Sequence, residues 1–229
     1  MTARAKLDYE ALDDLALARL VAARDPEAVR LVTGRNNQRL FRAAWSILKS
    51  RADAEDCVQS AYLSAFAAIK GFEGRSSLST WLTRIAINEA RGRRRASQRR
   101  RAQIEDNVAV LDDYREKLMR GSIHSPDGDY ARGQLRGLLE QAIAGLPDDF
   151  RLVFVLRDIE GLSVGETAET LGLLPATVKT RHLRARRRLQ QNLAPEVKAT
   201  LAGAFPFAGP DCEAMTERVT LAYCEPAAR

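Results

Sequence analysis

The stretch SVGETAETLGLLPATVKTRHLRARRRL, residues 163–189, decides the architecture of this region. Ser163 followed three residues later by Glu166 is a capping box, in which each side chain satisfies a backbone N–H left free at a helix start. It opens a short helix to Leu171. Gly172 closes that helix, because a residue without Cβ enters the left-handed conformation at least cost. Leu173-Leu174-Pro175 forms the turn, and a basic helix runs from about Ala176 to Gln191. Two short helices joined by a Gly-containing turn make a helix-turn-helix. Along the second helix Val178, His182, Ala185 and Leu189 recur at i, i+4, i+7, i+11, one face that packs on the preceding helices. Lys179, Thr180, Leu183, Arg184 and Arg187 point elsewhere. In a docked helix-turn-helix the early residues of the second helix meet base edges and the others meet phosphates. Thr177, Lys179, Thr180, Leu183 and Arg184 are therefore candidates for base or groove contact, with Arg187 following them on the DNA-binding side. Leu183 has no hydrogen-bonding group but fits against a thymine methyl; the alternative is an ordinary exposed apolar residue. His182 reads as a half-buried packing residue, since no second His or Cys lies at ligand spacing.

Upstream, Leu135, Leu138, Leu139, Ala142, Ile143 and Leu146 repeat with a helical period. Pro147 starts another helix through Phe150, Val153, Phe154, Leu156 and Ile159, and Gly161 stops it. These elements delimit a domain at residues 132–194. Before it, residues 101–131 read as an acidic linker. From Ala102 to Ala131 there are seven acidic and three basic residues, and Gly121, Ser122, Ser125, Pro126 and Gly128 interrupt any long helix. A short helix near Val108–Met119 is expected within it.

Residues 8–100 form a second helical block. Leu12, Leu15, Ala16 and Leu20 sit at helical spacing, and Leu40, Phe41, Ala44, Ile47 and Leu48 form another stripe. Asp53 to Lys70 reads as a helix with Ala54, Val58, Ala61, Tyr62, Ala65, Phe66 and Ile69 inward, ended by Gly71 and Gly74. Ser76 or Ser77 caps the next helix, whose Leu78, Trp81, Leu82, Ile85 and Ala86 face the core. Opposite that stripe, Arg84, Asn88, Arg91 and Arg95 share a face, with Arg94 nearby; Arg and Asn both hold backbone and read bases. After residue 194, the extension 195–229 carries Phe205, Phe207, Met215, Val219 and Leu221, with a short helix from Cys212 to Tyr223. Its expected role is regulatory, by packing on one of the two domains or offering a partner surface; a merely stabilising tail is the alternative.

Composition agrees with an all-α chain. Aromatic residues make up 6%, Gly and Pro are sparse, and 45% of residues are hydrophobic. Net charge is +6. Seven of the eleven residues from Arg91 to Arg101 are Arg, and Lys179 to Arg188 holds five Arg, one Lys and one His. Two clusters of one sign point to a polyanion, since each neutralised phosphate releases a counterion. Cys57, Cys212 and Cys224 are too few and too scattered for a disulfide framework or a zinc site. The acidic start, Asp8 to Asp14, does not read as a signal peptide. The longest uncharged stretch, Cys57 to Ile69, is thirteen residues, short of the ~20 a membrane helix needs. A cytoplasmic location without membrane insertion is expected. Neither a phosphate-binding Gly loop nor a nucleophile–base pair is evident, so no catalytic residue, metal or cofactor is assigned.

Two blocks resemble a known family. Ala54-Glu55-Asp56-Cys57-Val58-Gln59-Ser60-Ala61-Tyr62-Leu63, Phe72-Glu73-Gly74, and Ser79-Thr80-Trp81-Leu82-Thr83-Arg84-Ile85-Ala86-Ile87-Asn88 resemble region 2 of sigma-70 factors, most closely the extracytoplasmic-function (ECF) group. Leu146-Pro147 through Ser163, Glu166-Thr167-Ala168, Leu171-Gly172 and Thr177-Val178-Lys179-Thr180-Arg181 resemble region 4 of the same group. The resemblance implies two helical domains joined by a linker, a region 2 bundle and a region 4 helix-turn-helix. Region 4 would bind the promoter −35 element through Thr177, Lys179, Thr180, Leu183, Arg184 and Arg187, and touch the polymerase β flap. Region 2 would dock on the β′ clamp helices through Asp56, Gln59, Ser60 and Leu63. It would read the −10 element through Arg84, Asn88, Arg91, Arg94 and Arg95. The Gly71–Leu78 loop and Asn88 would receive an extruded −10 base, offsetting an unstacking cost of a few kcal/mol. An anti-sigma factor is an expected partner. Gly92 sits where many relatives carry a polar residue, and His182-Leu183 replaces a more frequent pair. The other reading is a dimeric helix-turn-helix regulator, which leaves the Ala54–Asn88 motifs without a task.

Overall fold

Side-chain caps fix the N-terminal helices. Asp13 accepts from the Ala16 N–H at 2.7 Å and starts α1, Asp14–Ala22. Asp25 accepts from Ala28 N–H at 2.9 Å and, with Pro26 in the first turn, starts α2, Pro26–Leu48. Ser50 accepts from Asp53 N–H and starts α3, Arg51–Ala67. Ser77 accepts from Thr80 N–H at 3.1 Å, and the Asp14 carboxylate takes Leu78 N–H at 2.7 Å, so two of the free donors at the start of α4, Leu78–Glu105, are satisfied. The computed structural model describes residues 8–105, 142–192 and 210–224, and every regular element among them is helical.

The boundaries differ from expectation in physically simple ways. The third helix starts two residues before Asp53 because Ser50 caps it. It ends at Ala67, and Ile69–Gly71 tightens into a 3-10 turn. Residues 101–105 belong to α4, not to the linker. The expected linker from residue 106, the Leu135–Leu139 stripe, and Phe205 and Phe207 lie outside the described residues.

α2, α3 and α4 pack around one core, with α1 across one end. Leu17, Val21, Val29, Phe41, Tyr62, Phe66, Leu82 and Ile87 are buried there. Each such side chain contributes about 1.5–3 kcal/mol of transfer free energy, the largest favourable term in the domain. Gly74, at φ +70°, turns the chain toward α4 with Leu15 packed beneath it; a Cβ there would meet the Leu15 side chain at 3.2–3.3 Å.

The second unit is described from residue 142. α5, Asp148–Phe154, continues as a π-helical turn, Val155–Ile159. α6 is Val164–Leu171 and α7 is Pro175–Asn192. The capping box is formed in both directions: Glu166 N–H donates to Ser163 Oγ at 3.1 Å, and Ser163 N–H donates to the Glu166 carboxylate at 2.7 Å. Gly172 adopts φ +64° at the end of α6. Ile143, Leu146, Phe154, Ala185 and Leu189 form a small core, and Trp45 of α2 packs against both cores.

The two units are in contact. Arg151 is 1% exposed and donates to the carbonyls of Ile143, Ala144 and Leu146 in its own unit and of Ser46 in α2. α8, Pro210–Cys224, is slightly longer than the helix expected from Cys212 to Tyr223. It packs on α2 and α3.

Candidate nucleic-acid interface

α7 sorts its cations into two groups. Val178, Ala185 and Leu189 are buried on its inner face. On the flanks, Arg181 pairs with Asp149 at 2.9 Å, His182 pairs with Asp158, and the Arg188 guanidinium lies 5.6 Å from the Phe150 ring centre. These three groups orient α7 against α5 and its π turn. Lys179, Thr180, Leu183, Arg184 and Arg187 are exposed on the remaining face, and Thr177 is half-buried at its start. Leu183 is 50% exposed, the profile of a side chain open to a groove. The Thr180 hydroxyl donates to Ala176 O at 2.9 Å, so it meets a ligand as an acceptor.

On α4, Arg84, Asn88 and Arg95 are exposed and Arg91 is half-buried. A concave pocket of about 520 Å³ is lined by Phe72, Arg75, Trp81, Arg84 and Asn88. The expectation put Trp81 opposite Arg84 and Asn88; the structure puts all three in the same pocket. The spacing 81, 84, 88 is i, i+3, i+7, so the face was readable as shared. Trp81 lies 5.5 Å from the Phe72 ring, giving the pocket an aromatic wall beside its cations. A flat π surface next to guanidinium groups suits an unstacked base.

Arg94 is engaged, not free: it pairs with Asp148 of α5. Burial alone would raise the Asp148 carboxyl. The Arg94 hydrogen bond and the Arg151 charge outweigh it and hold that carboxyl below the usual carboxylate range. Glu160 pairs with Arg42 at 3.0 Å and Arg39 at 3.7 Å, and Glu169 of α6 reaches the pocket of Trp81 and Asn88.

On α3, Asp56 is exposed, while Gln59, Ser60 and Leu63 are half-buried. Arg93 donates to Ser60 Oγ at 2.6 Å and to Asp56 O at 3.3 Å, and pairs with Glu89 at 2.9 Å. It ties this strip of α3 to the Arg-rich part of α4. Cys57 lies beneath, and burial pushes its thiol up to about 12.

Comparison with known proteins matches these two units separately. The Sigma-70 region 2 family model matches residues 33–100, and the Sigma-70 region 4 model matches residues 136–189. The chain is 31% identical over 187 residues to the ECF RNA polymerase sigma-E factor of Haemophilus influenzae, covering 81% of this chain and 98% of that protein. The chain belongs to the ECF group of the sigma-70 family. Its function is therefore that of a sigma factor in transcription initiation. The sigma-E factor of Escherichia coli K12 is 29% identical over 189 residues, covering 82% of this chain and 98% of that protein. Two solved structures share the fold. RpoE of Bartonella quintana, in complex with the anti-sigma factor NepR, gives a TM-score of 0.55 at 28% identity, covering 71% of this chain and 92% of that one. CnrH, in complex with the cytosolic domain of CnrY, gives 0.53 at 25%, covering 78% and 95%. The region 4 match ends at residue 189, so α8 of this sigma factor lies beyond it.

Proposed function

We propose that this sigma factor binds core RNA polymerase through the Asp56–Leu63 strip of α3 and reads promoter DNA with two surfaces. Lys179, Thr180, Leu183, Arg184 and Arg187 on α7, with Thr177 at its start, meet the −35 duplex. Arg84, Asn88, Arg91 and Arg95 on α4 face the −10 element, and Arg94 joins them once its pair with Asp148 opens. The observation that carries this reading is the aromatic and cationic pocket of Trp81, Arg84 and Asn88 at the foot of an Arg-rich helix. Unstacking a base costs a few kcal/mol, and a preformed pocket offsets that cost. Phosphate contacts from the arginines add affinity that falls with salt. The protein supplies binding energy, and polymerase carries out phosphoryl transfer; the sigma factor itself performs no covalent step. It acts in the cytoplasm with polymerase, and an anti-sigma factor is a fitting partner because a relative of known structure, RpoE of Bartonella quintana, was captured with one. No described helix is long and apolar enough to cross a membrane.

Run-off transcription with purified core polymerase tests the proposal. Promoter-dependent initiation on addition of the protein supports it. Tight, specific duplex binding without polymerase, and no promoter-directed transcript with it, would instead support the dimeric regulator.

A further inference from the structure

We infer that α8 is an intrachain clasp: it docks on the α2–α3 face of region 2 and so keeps region 4 closed over the −10 pocket. What the closed form hides rests on the functional reading above. The clasp itself rests on contacts.

α8 follows region 4 in sequence yet packs on region 2. Met215 and Val219 are fully buried against it. The Asn37 amide donates to Cys212 O and to Thr216 Oγ1, both at 2.7 Å. The Tyr223 ring lies 5.1 Å from Phe66, and its hydroxyl donates to Phe66 O at 3.1 Å. Arg24 sits 5.2 Å from the Tyr223 ring and donates to the Tyr223 carbonyl at 3.2 Å. The register of α8 on region 2 is thus specified at its start, middle and end.

The helix is amphipathic, with one face on region 2 and the other in solvent. Among the described side chains of α8, Met215, Val219 and Thr220 are buried, Glu213, Glu217 and Leu221 are exposed, and Arg218 reaches Glu55 of α3 at 3.7 Å. Near the start of the footprint lies Asn37, a polar residue that water satisfies once the helix leaves.

What docking secures is the closed arrangement. Asp148 sits on Arg94 and Glu169 at the −10 pocket, so region 4 carboxylates stand against cations assigned to the −10 element, while Glu160 pairs with Arg42 of α2 across the same junction. Region 4 contacts region 2 directly, and the chain that leaves its C-terminal end returns to region 2 through α8. A second attachment raises the effective concentration of the ionic contacts and keeps them made.

The test uses the full chain with Met215→Glu and Val219→Glu, residues that touch neither DNA nor polymerase in the reading above. Donor and acceptor dyes are placed at Ala67→Cys on α3 and Gln190→Cys on α7, both exposed positions. Cys212 and Cys224 are changed to Ser, and buried Cys57 is left in place. Single-molecule energy transfer should give one high-efficiency population for the otherwise wild-type chain and at least a fivefold larger open fraction for the double variant. Identical distributions, or a wild-type chain already open, would overturn the clasp. If the charged pair costs the fold, Thr216→Ala with Tyr223→Phe decides. An open fraction at least twofold above wild type supports the clasp, and no change overturns it. A chain that opens on undocking but directs no promoter-specific transcript would refute the functional reading and leave the clasp standing.

Discussion

Replacing Arg151 with Met keeps most of the aliphatic volume and removes the guanidinium. That group serves five acceptors: the carbonyls of Ile143, Ala144, Leu146 and Ser46, and the Asp148 carboxylate. Hydrogen bonds to a charged group are worth about 1.5–3 kcal/mol each. Simple addition would give about 7.5–15 kcal/mol, as much as the whole ~5–15 kcal/mol stability of a domain, so the desolvation of a side chain 1% exposed must offset much of it. Breaking a buried charged network by removing one partner costs about 3–5 kcal/mol, and that is the expected loss. Arg151→Lys should recover only a minor part, because an ammonium lacks the planar fork that spans both units. Urea unfolding followed by tryptophan fluorescence reads the effect, since Trp45 touches both cores. The midpoint should fall, with little change in slope if the unfolded state is unaffected. A midpoint shift equivalent to less than about 0.5 kcal/mol, the level of an ordinary surface change, would refute the assignment of Arg151 as the junction between the units.

Three further outcomes follow from the same geometry. Ser163→Ala should cost about 1 kcal/mol of region 4 stability, read by thermal melting, because it opens the capping box. Its hydrogen bonds hold the Glu166 carboxyl below its ordinary range, so the cap's contribution is present above that range and lost as pH falls through the depressed value; a cap contribution unchanged down to strongly acidic pH would contradict this. Iodoacetamide at pH 8 should leave Cys57 unmodified in the native protein and modify it after denaturation, because burial keeps the thiol protonated; mass mapping of a native adduct at Cys57 would count against the burial argument. Lys179→Ala with Arg184→Ala should weaken −35-dependent initiation at least tenfold, at about 1 kcal/mol or more per lost contact, while leaving core binding intact; loss of core binding instead would show the domain roles to be misassigned.

The helix-turn-helix was legible because its signals are local. Ser163 and Glu166 cap each other across three residues, and Gly172 needs only its own backbone to stop α6. The inner face of α7 followed from a 3.6-residue period, and Val178, Ala185 and Leu189 are buried as the spacing required. Arg151 was not legible: in sequence it is one more arginine after an acidic pair, and its burial depends on Ser46, 105 positions away. The Arg94–Asp148 and Arg42–Glu160 pairs are equally nonlocal, and charge spacing along one helix carries no information about a partner on another. The destination of α8 was open for the same reason. Met215 and Val219 announce an apolar face, but only Asn37, Phe66 and Arg24 show where it goes.

In the proposed function, this chain confers promoter choice on core polymerase through two DNA-reading surfaces. The most direct measurement is start-site mapping on genomic DNA transcribed in vitro by core polymerase with and without the purified protein. A discrete set of new starts is expected, whose upstream sequences share a −10 and a −35 element at fixed spacing. Starts indistinguishable from those of core alone, or new starts sharing no upstream element, would contradict it.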